Sequence, residues 1–252
     1  MLSEIRKISS LLLSVAFSSI GFIASITVTV LAAREVSSNP LFVGFPNAVG
    51  VGGAVLGTRM IYLISKNNSQ LNALAFTFLI GAFGGAIMFY SLIVDSFVML
   101  LFGAFILGIG QSATLQTRYA ASFVASEKFK ATALSLAVWF SVFGSVFGPR
   151  MVGSYSNFFE NIFNSELIVG YVIALVGMLF AASSLFIFTS KKSILRSPSN
   201  LESESNNQNS NKKNGNLLSL LLVLNHFTMV VIMSATPLHI QDIGETVQLV
   251  GI

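Results

Sequence analysis

The 252-residue chain contains no cysteine and little charge: only 10% of its residues are Asp, Glu, Lys or Arg. The first absence excludes a disulfide framework and any thiolate metal site. The second excludes an ordinary soluble domain of this length, whose surface would need far more charge to face water. Catalytic and nucleotide-binding patterns are missing as well. No HExxH, GxSxG, Walker A or GxGxxG segment occurs, nor a carboxylate pair placed for acid–base work. Gly110-Gln111-Ser112-Ala113 lacks the second glycine that an intramembrane serine protease turn would need. Neither an enzymatic activity nor a cofactor is expected.

What is present is apolar. Hydrophobic residues make up 54% of the chain and the mean hydropathy is +0.78. They gather into runs over 9–33, 41–64, 70–94, 97–123, 131–154, 166–190 and 216–238. Runs of about 20 apolar residues match the hydrocarbon thickness of a bilayer. Backbone in that medium must satisfy its own hydrogen bonds, so each run is predicted to be a helix. The short alternating segments of a β-barrel are absent. The first run follows Arg6 and Lys7, as a signal peptide would, but it is too long for one and five more follow. It reads as a retained helix.

The net charge of +4 is a topology signal rather than a nucleic-acid one, so no nucleic-acid partner is expected. With the N-terminus in the cytoplasm, eleven of the 14 Lys and Arg fall on that side: Arg6, Lys7, Arg59, Lys66, Lys128, Lys130, Lys191, Lys192, Arg196, Lys212 and Lys213. Arg34 lies outside, and Arg118 and Arg150 lie within spans. The lipid bilayer is the expected partner, and the expected location is the cell (plasma or inner) membrane, multi-pass.

Short connections at 65–69, 95–96 and 124–130 force antiparallel neighbours, so residues 1–190 are expected to form one six-helix bundle. Residues 191–215 are rich in Ser, Asn, Lys and Glu and read as a disordered cytoplasmic linker. A coil of that length reaches roughly 25–30 Å, enough to join two bundles side by side. Residues 216–252 then read as a seventh span and an outer loop, the start of an incomplete second bundle. The alternative is a complete seven-helix protein.

Small residues recur at helix-packing spacing: Gly44, Ala48 and Gly52 on span 2, with Gly53 and Gly57 on an adjoining stripe, Gly81 and Gly85 on span 3, and Gly144 and Gly148 on span 5. Span 5 continues as Pro149-Arg150-Met151-Val152-Gly153, where Pro149 removes a backbone donor and crowds the carbonyl of Ser145. An Arg inside a span is costly and points to a cavity or a partner. Arg118 shares a helical face with Gln111 and Thr114. Its partner is an anionic solute, backbone carbonyls or an acid beyond these spans; otherwise it snorkels to lipid phosphate. The same alternative holds for Arg150. Asn47, Trp139 and, in span 7, His226 are further candidates for a solute pathway, each against a plain packing role. The interiors of spans 1–6 hold no Asp, Glu, His or Lys, so any coupling acid is expected beyond residue 252, unless transport is uniport.

The segment Gly144-Ser145-Val146-Phe147-Gly148-Pro149 resembles motif C, GxxxGPxxGG, on the fifth helix of antiporters in the major facilitator superfamily. The final glycine pair is reduced to a displaced Gly153. GFPNAVGVGGAVLG, GIGQSATLQTRYAASFVASEKF and VVIMSATPLHIQDIG are also similar to a prokaryotic branch of that superfamily. The chain departs from it elsewhere. Near Gly57 only Arg59 of the motif A charge cluster remains, and Ile106 stands where motif B has its Arg. The resemblance implies an all-α integral membrane fold, with spans 1–3 and 4–6 as inverted repeats. It implies the first half of a twelve-helix transporter plus helix 7, the C-terminal six-helix half being a missing partner. The function implied is secondary active or facilitative transport of a small solute by alternating access, in the manner of an efflux-type antiporter. The alternative is a truncated, transport-incompetent protein, or a scaffold needing a second chain.

Overall fold

The computed structural model describes residues 2–37, 42–163 and 165–188, together with Thr228, Ile232 and His239. The expected linker and seventh span, with His226, otherwise lie outside the described residues.

Six long helices carry the fold: α1 (Leu2–Val36), α2 (Phe45–Asn67), α3 (Gln70–Ile93), α4 (Phe97–Val124), α5 (Lys130–Phe163) and α6 (Ile168–Phe188). Each is long and apolar enough to cross a bilayer. Among the described residues there is no strand. The connections are as tight as their lengths demand. Between α3 and α4, Asp95 takes a left-handed backbone (φ 51°), a conformation Asp tolerates better than most residues. This lets the Ser96 amide donate to the Ser91 carbonyl at 3.0 Å, closing α3 with a Schellman-type bond. Ser96 then caps α4, its Oγ accepting from the Met99 amide at 3.4 Å. One residue thus ends one helix and starts the next.

Helix α5 runs nine residues beyond its expected end at 154. Ser154, Ser156, Asn157 and Glu160 break the apolar run there, so hydropathy alone stops short. Aromatic packing carries the helix on instead: Phe159 stacks on Phe163 (6.1 Å between rings), and Phe163 meets Phe89 of α3 edge-on at 5.4 Å.

The helices pack in a symmetric order. Helix α1 lies against α5 and α6, while α4 lies against α2 and α3; α1 also touches α4, and α3 touches α6. Exchanging α1 with α4, α2 with α5 and α3 with α6 leaves these relations unchanged. Three crossings per repeat reverse the direction of the second, so the repeats are inverted. Helices α1, α3, α4 and α6 form the core, with at least 56% of the most apolar window of each buried, against 22% for α2 and 28% for α5.

Helices in lipid gain little from hydrophobic exclusion, so close backbone approach holds the bundle. Glycines supply it. A Cβ on Gly53 would collide with the Phe105 carbonyl of α4, and one on Gly108 with the Gly50 carbonyl of α2. Gly81 of α3 and Gly110 of α4 face each other, while Gly170 and Gly177 of α6 rest on α1. The stripe Gly44, Ala48, Gly52 is a correction to the sequence reading: a Cβ at Gly44 or Gly52 meets nothing within 4 Å, and Ala48 is exposed. Both stripes of α2 have the right spacing, but α4 presents its Gly108 to the one containing Gly50 and Gly53.

Candidate functional site

A cavity of about 270 Å³ opens between α1, α2 and α4, with Met88 of α3 at its side. Helix α4 supplies a full face to it: Ala104, Leu107, Gln111, Thr114 and Arg118 recur at steps of three and four. Helix α2 brings Pro46 and Asn47 from its first turn, where proline is well accommodated. Helix α1 contributes Ser19, Ser25 and Thr29 among apolar neighbours.

Four residues singled out in the sequence therefore meet in one place: Asn47, Gln111, Thr114 and Arg118. Trp139 does not join them. It is 68% exposed on α5 and is not part of the lining. Gly144 and Gly148 lie within the bundle, against α1: a Cβ on Gly144 would meet Ser19 Cβ at 2.5 Å, and one on Gly148 the Ile20 carbonyl at 3.0 Å. Pro149 and Gly153 are half-buried, whereas Arg150 is exposed. Gly53 and Gly57 pack on α4.

The α1 wall was not among the residues expected from the sequence. The available signal was a run of hydroxyls in an otherwise apolar helix, from Ser14 through Ser18, Ser19 and Ser25 to Thr29. Most of these hydroxyls are occupied by their own helix: Ser14 donates to the Leu11 carbonyl at 3.0 Å, Ser25 to Phe22 at 2.7 Å and Thr29 to Ser25 at 2.6 Å. Tyr171 of α6, fully buried, donates to Thr29 Oγ1 at 3.5 Å and props that wall from behind. Among the described residues, Ser19 Oγ and Thr114 Oγ1 have no hydrogen-bond partner, nor has Arg118 Nε.

An arginine and several hydroxyls and amides around a cavity inside a bundle of apolar, membrane-length helices define a polytopic membrane protein with an internal polar site. Comparison with known proteins places it more narrowly. The chain is 26% identical over 250 residues to a Bacillus subtilis protein named as an uncharacterized MFS-type transporter, YdeG, covering 95% of this chain and 58% of that protein. It is likewise 26% identical to a second so named, YddS, covering 98% of this chain and 59% of the relative. No protein-family model and no solved structure matches it. Over nearly its whole length the chain is similar to MFS-type transporters, and its six apolar helices are consistent with that superfamily. It spans about three fifths of the length of these curated relatives.

Proposed function

We propose that this chain forms one wall of a solute pathway and takes part in transport by alternating access, with a second helical bundle as the opposite wall. The observation that carries this reading is the cavity on α1, α2 and α4, which places Asn47, Gln111, Thr114 and Arg118 together inside a membrane bundle. Polar groups at that depth are costly and are retained where they meet water or solute. Two further features support it. Helices α2 and α5 are the least buried, which leaves them faces for a neighbouring bundle. The curated relatives, both named transporters, are longer than this chain.

The α1–α5 contact gives a route by which rocking would be felt at the cavity. Gly144 abuts Ser19, and Ser19 lines the cavity. A shift of α5 along its glycine face therefore displaces a wall residue directly. This link, with the resemblance of Gly144, Gly148 and Pro149 to motif C, supports the finer reading of an efflux-type antiporter with a small solute as its cargo.

The absence of cysteine allows a direct test. In Gln111→Cys the single thiol should react with a membrane-impermeant maleimide added from one side of the membrane. In Leu179→Cys, on the outer face of α6, it should not. A thiol at 111 that stays unreactive from both sides would overturn the pathway reading.

A further inference from the structure

We propose that the cavity selects a compact organic monoanion, a carboxylate carried on an apolar body, with Arg118 as the cation that binds its head. The proposal deepens the pathway reading above and rests on it.

Unmet hydrogen-bonding capacity is the first ground. Among the described residues, five buried side-chain atoms lack a partner: Ser19 Oγ, Ser69 Oγ, Thr114 Oγ1, Arg118 Nε and Ser165 Oγ. Ser69 and Ser165 sit at helix boundaries, where headgroups and water are within reach. The other three are inside spans, and all three line the cavity. Ser19 and Thr114 are each only 3% exposed. Hydroxyls in spans normally bond back to their own helix, as Ser112 does to the Ile109 carbonyl at 2.7 Å and Thr117 to Ala113 at 2.7 Å. Thr114, between those two, leaves that bond unmade. A buried donor without an acceptor is costly, so these groups are poised for something that fills the cavity.

Charge decides the sign of the ligand. Among the described residues, Arg118 is the one ionisable side chain in the lining, which contains no Asp, Glu, Lys or His. One negative charge balances it, a second would be desolvated without a partner, and a cation would be repelled. The planar guanidinium fork matches a carboxylate in two parallel hydrogen bonds. Arg118 and Thr114, one turn apart on α4, both line the cavity.

The walls decide the rest of the ligand. Phe22, Ile23, Ile26, Met88, Leu107 and Leu115 offer apolar surface to its body. The cavity on this wall, about 270 Å³, accommodates a compact molecule.

Benzoate, benzamide and benzylamine share one body and differ in the charge of the head. Equilibrium dialysis of each, radiolabelled, against the purified full chain in phosphatidylcholine nanodiscs tests the proposal. Benzoate should bind at least roughly tenfold more tightly than benzamide, and benzylamine should not bind. Arg118→Gln should erase the preference, with an unchanged thermal midpoint showing that the protein is folded. Should that variant fail to fold, Arg118→Lys and Thr114→Val carry the test, and both should weaken benzoate. Equal binding of benzamide, absence of benzoate binding, or benzoate affinity indifferent to these substitutions would each overturn the proposal. Nanodiscs containing phosphatidylglycerol separate a solute from a lipid headgroup. Benzoate binding should persist there, and its loss would assign Arg118 to lipid phosphate and overturn the solute assignment. Benzoate selectivity alongside an unreactive thiol at 111 would sink the pathway reading and leave the anion site standing. A reactive thiol without benzoate selectivity would do the reverse.

Discussion

Position along a helix does not reveal which hydroxyl is free. Thr114 and Thr117 are one turn apart on α4 and both buried, yet only Thr117 spends its hydroxyl on the helix behind it. Thr117→Val should therefore leave ligand binding unchanged, while Thr114→Val weakens it; parallel dialysis of the two variants checks this. Glu166, in the turn between α5 and α6, presents a second contrast. Burial pushes its carboxyl above the ordinary value of 4.5, and the charge of Glu160 adds to the effect. Below that value the group is protonated whether the chain is folded or not, and it costs nothing. As pH rises past 4.5 the unfolded chain ionises first, and the folded state increasingly bears the penalty, so stability falls through this window. Glu166→Gln should raise the thermal midpoint in detergent at neutral pH and leave it unchanged well below pH 4.5.

Among the helices, packing is set by where backbones touch. Gly52 and Gly53 are adjacent on α2 and chemically identical, but Gly52 faces open space and Gly53 faces the Phe105 carbonyl. Gly53→Ala should destabilise the bundle by about 1–3 kcal/mol, the usual cost of overpacking. Gly52→Ala should be neutral, and thermal midpoints measured by size-exclusion recovery distinguish them. Helix α5 offers a graded pair. Gly144→Ala meets Ser19 at 2.5 Å and should cost more than Gly148→Ala, whose nearest contact is the Ile20 carbonyl at 3.0 Å. The helices themselves were legible in the sequence, because lipid forces every apolar run of sufficient length to bond internally. The far end of α5 was not, since aromatic stacking on α3 extends it past the last apolar run.

For the whole bundle, we propose from the distribution of basic loops that the N-terminus is cytoplasmic. Thiol labelling in intact cells checks this: Lys128→Cys, beyond α4, should stay protected, and Asp95→Cys, between α3 and α4, should react. The reverse pattern would invert the bundle and exchange the two mouths of the proposed pathway. The neighbour relations of α1–α3 repeat in α4–α6, so the α2–α4 and α1–α5 glycine contacts are equivalent. Only the first borders two cavity walls directly, through Gly50 and Gly108.

By itself the sequence determined that the chain spans a membrane, where its first six helices lie and how its basic residues bias orientation. These follow from composition and run length, which a bilayer reads locally, one segment at a time. It also marked Asn47, Gln111, Thr114 and Arg118, since polar groups in apolar helices stand out without any coordinates. The tertiary structure decided that these four share one cavity with the α1 hydroxyls, that Trp139 stands apart and that Gly53 rather than Gly52 meets a neighbour. Those outcomes depend on the rotation of each helix about its own axis. That rotation is set by backbone fit between helices distant in the chain, which helical spacing alone leaves open.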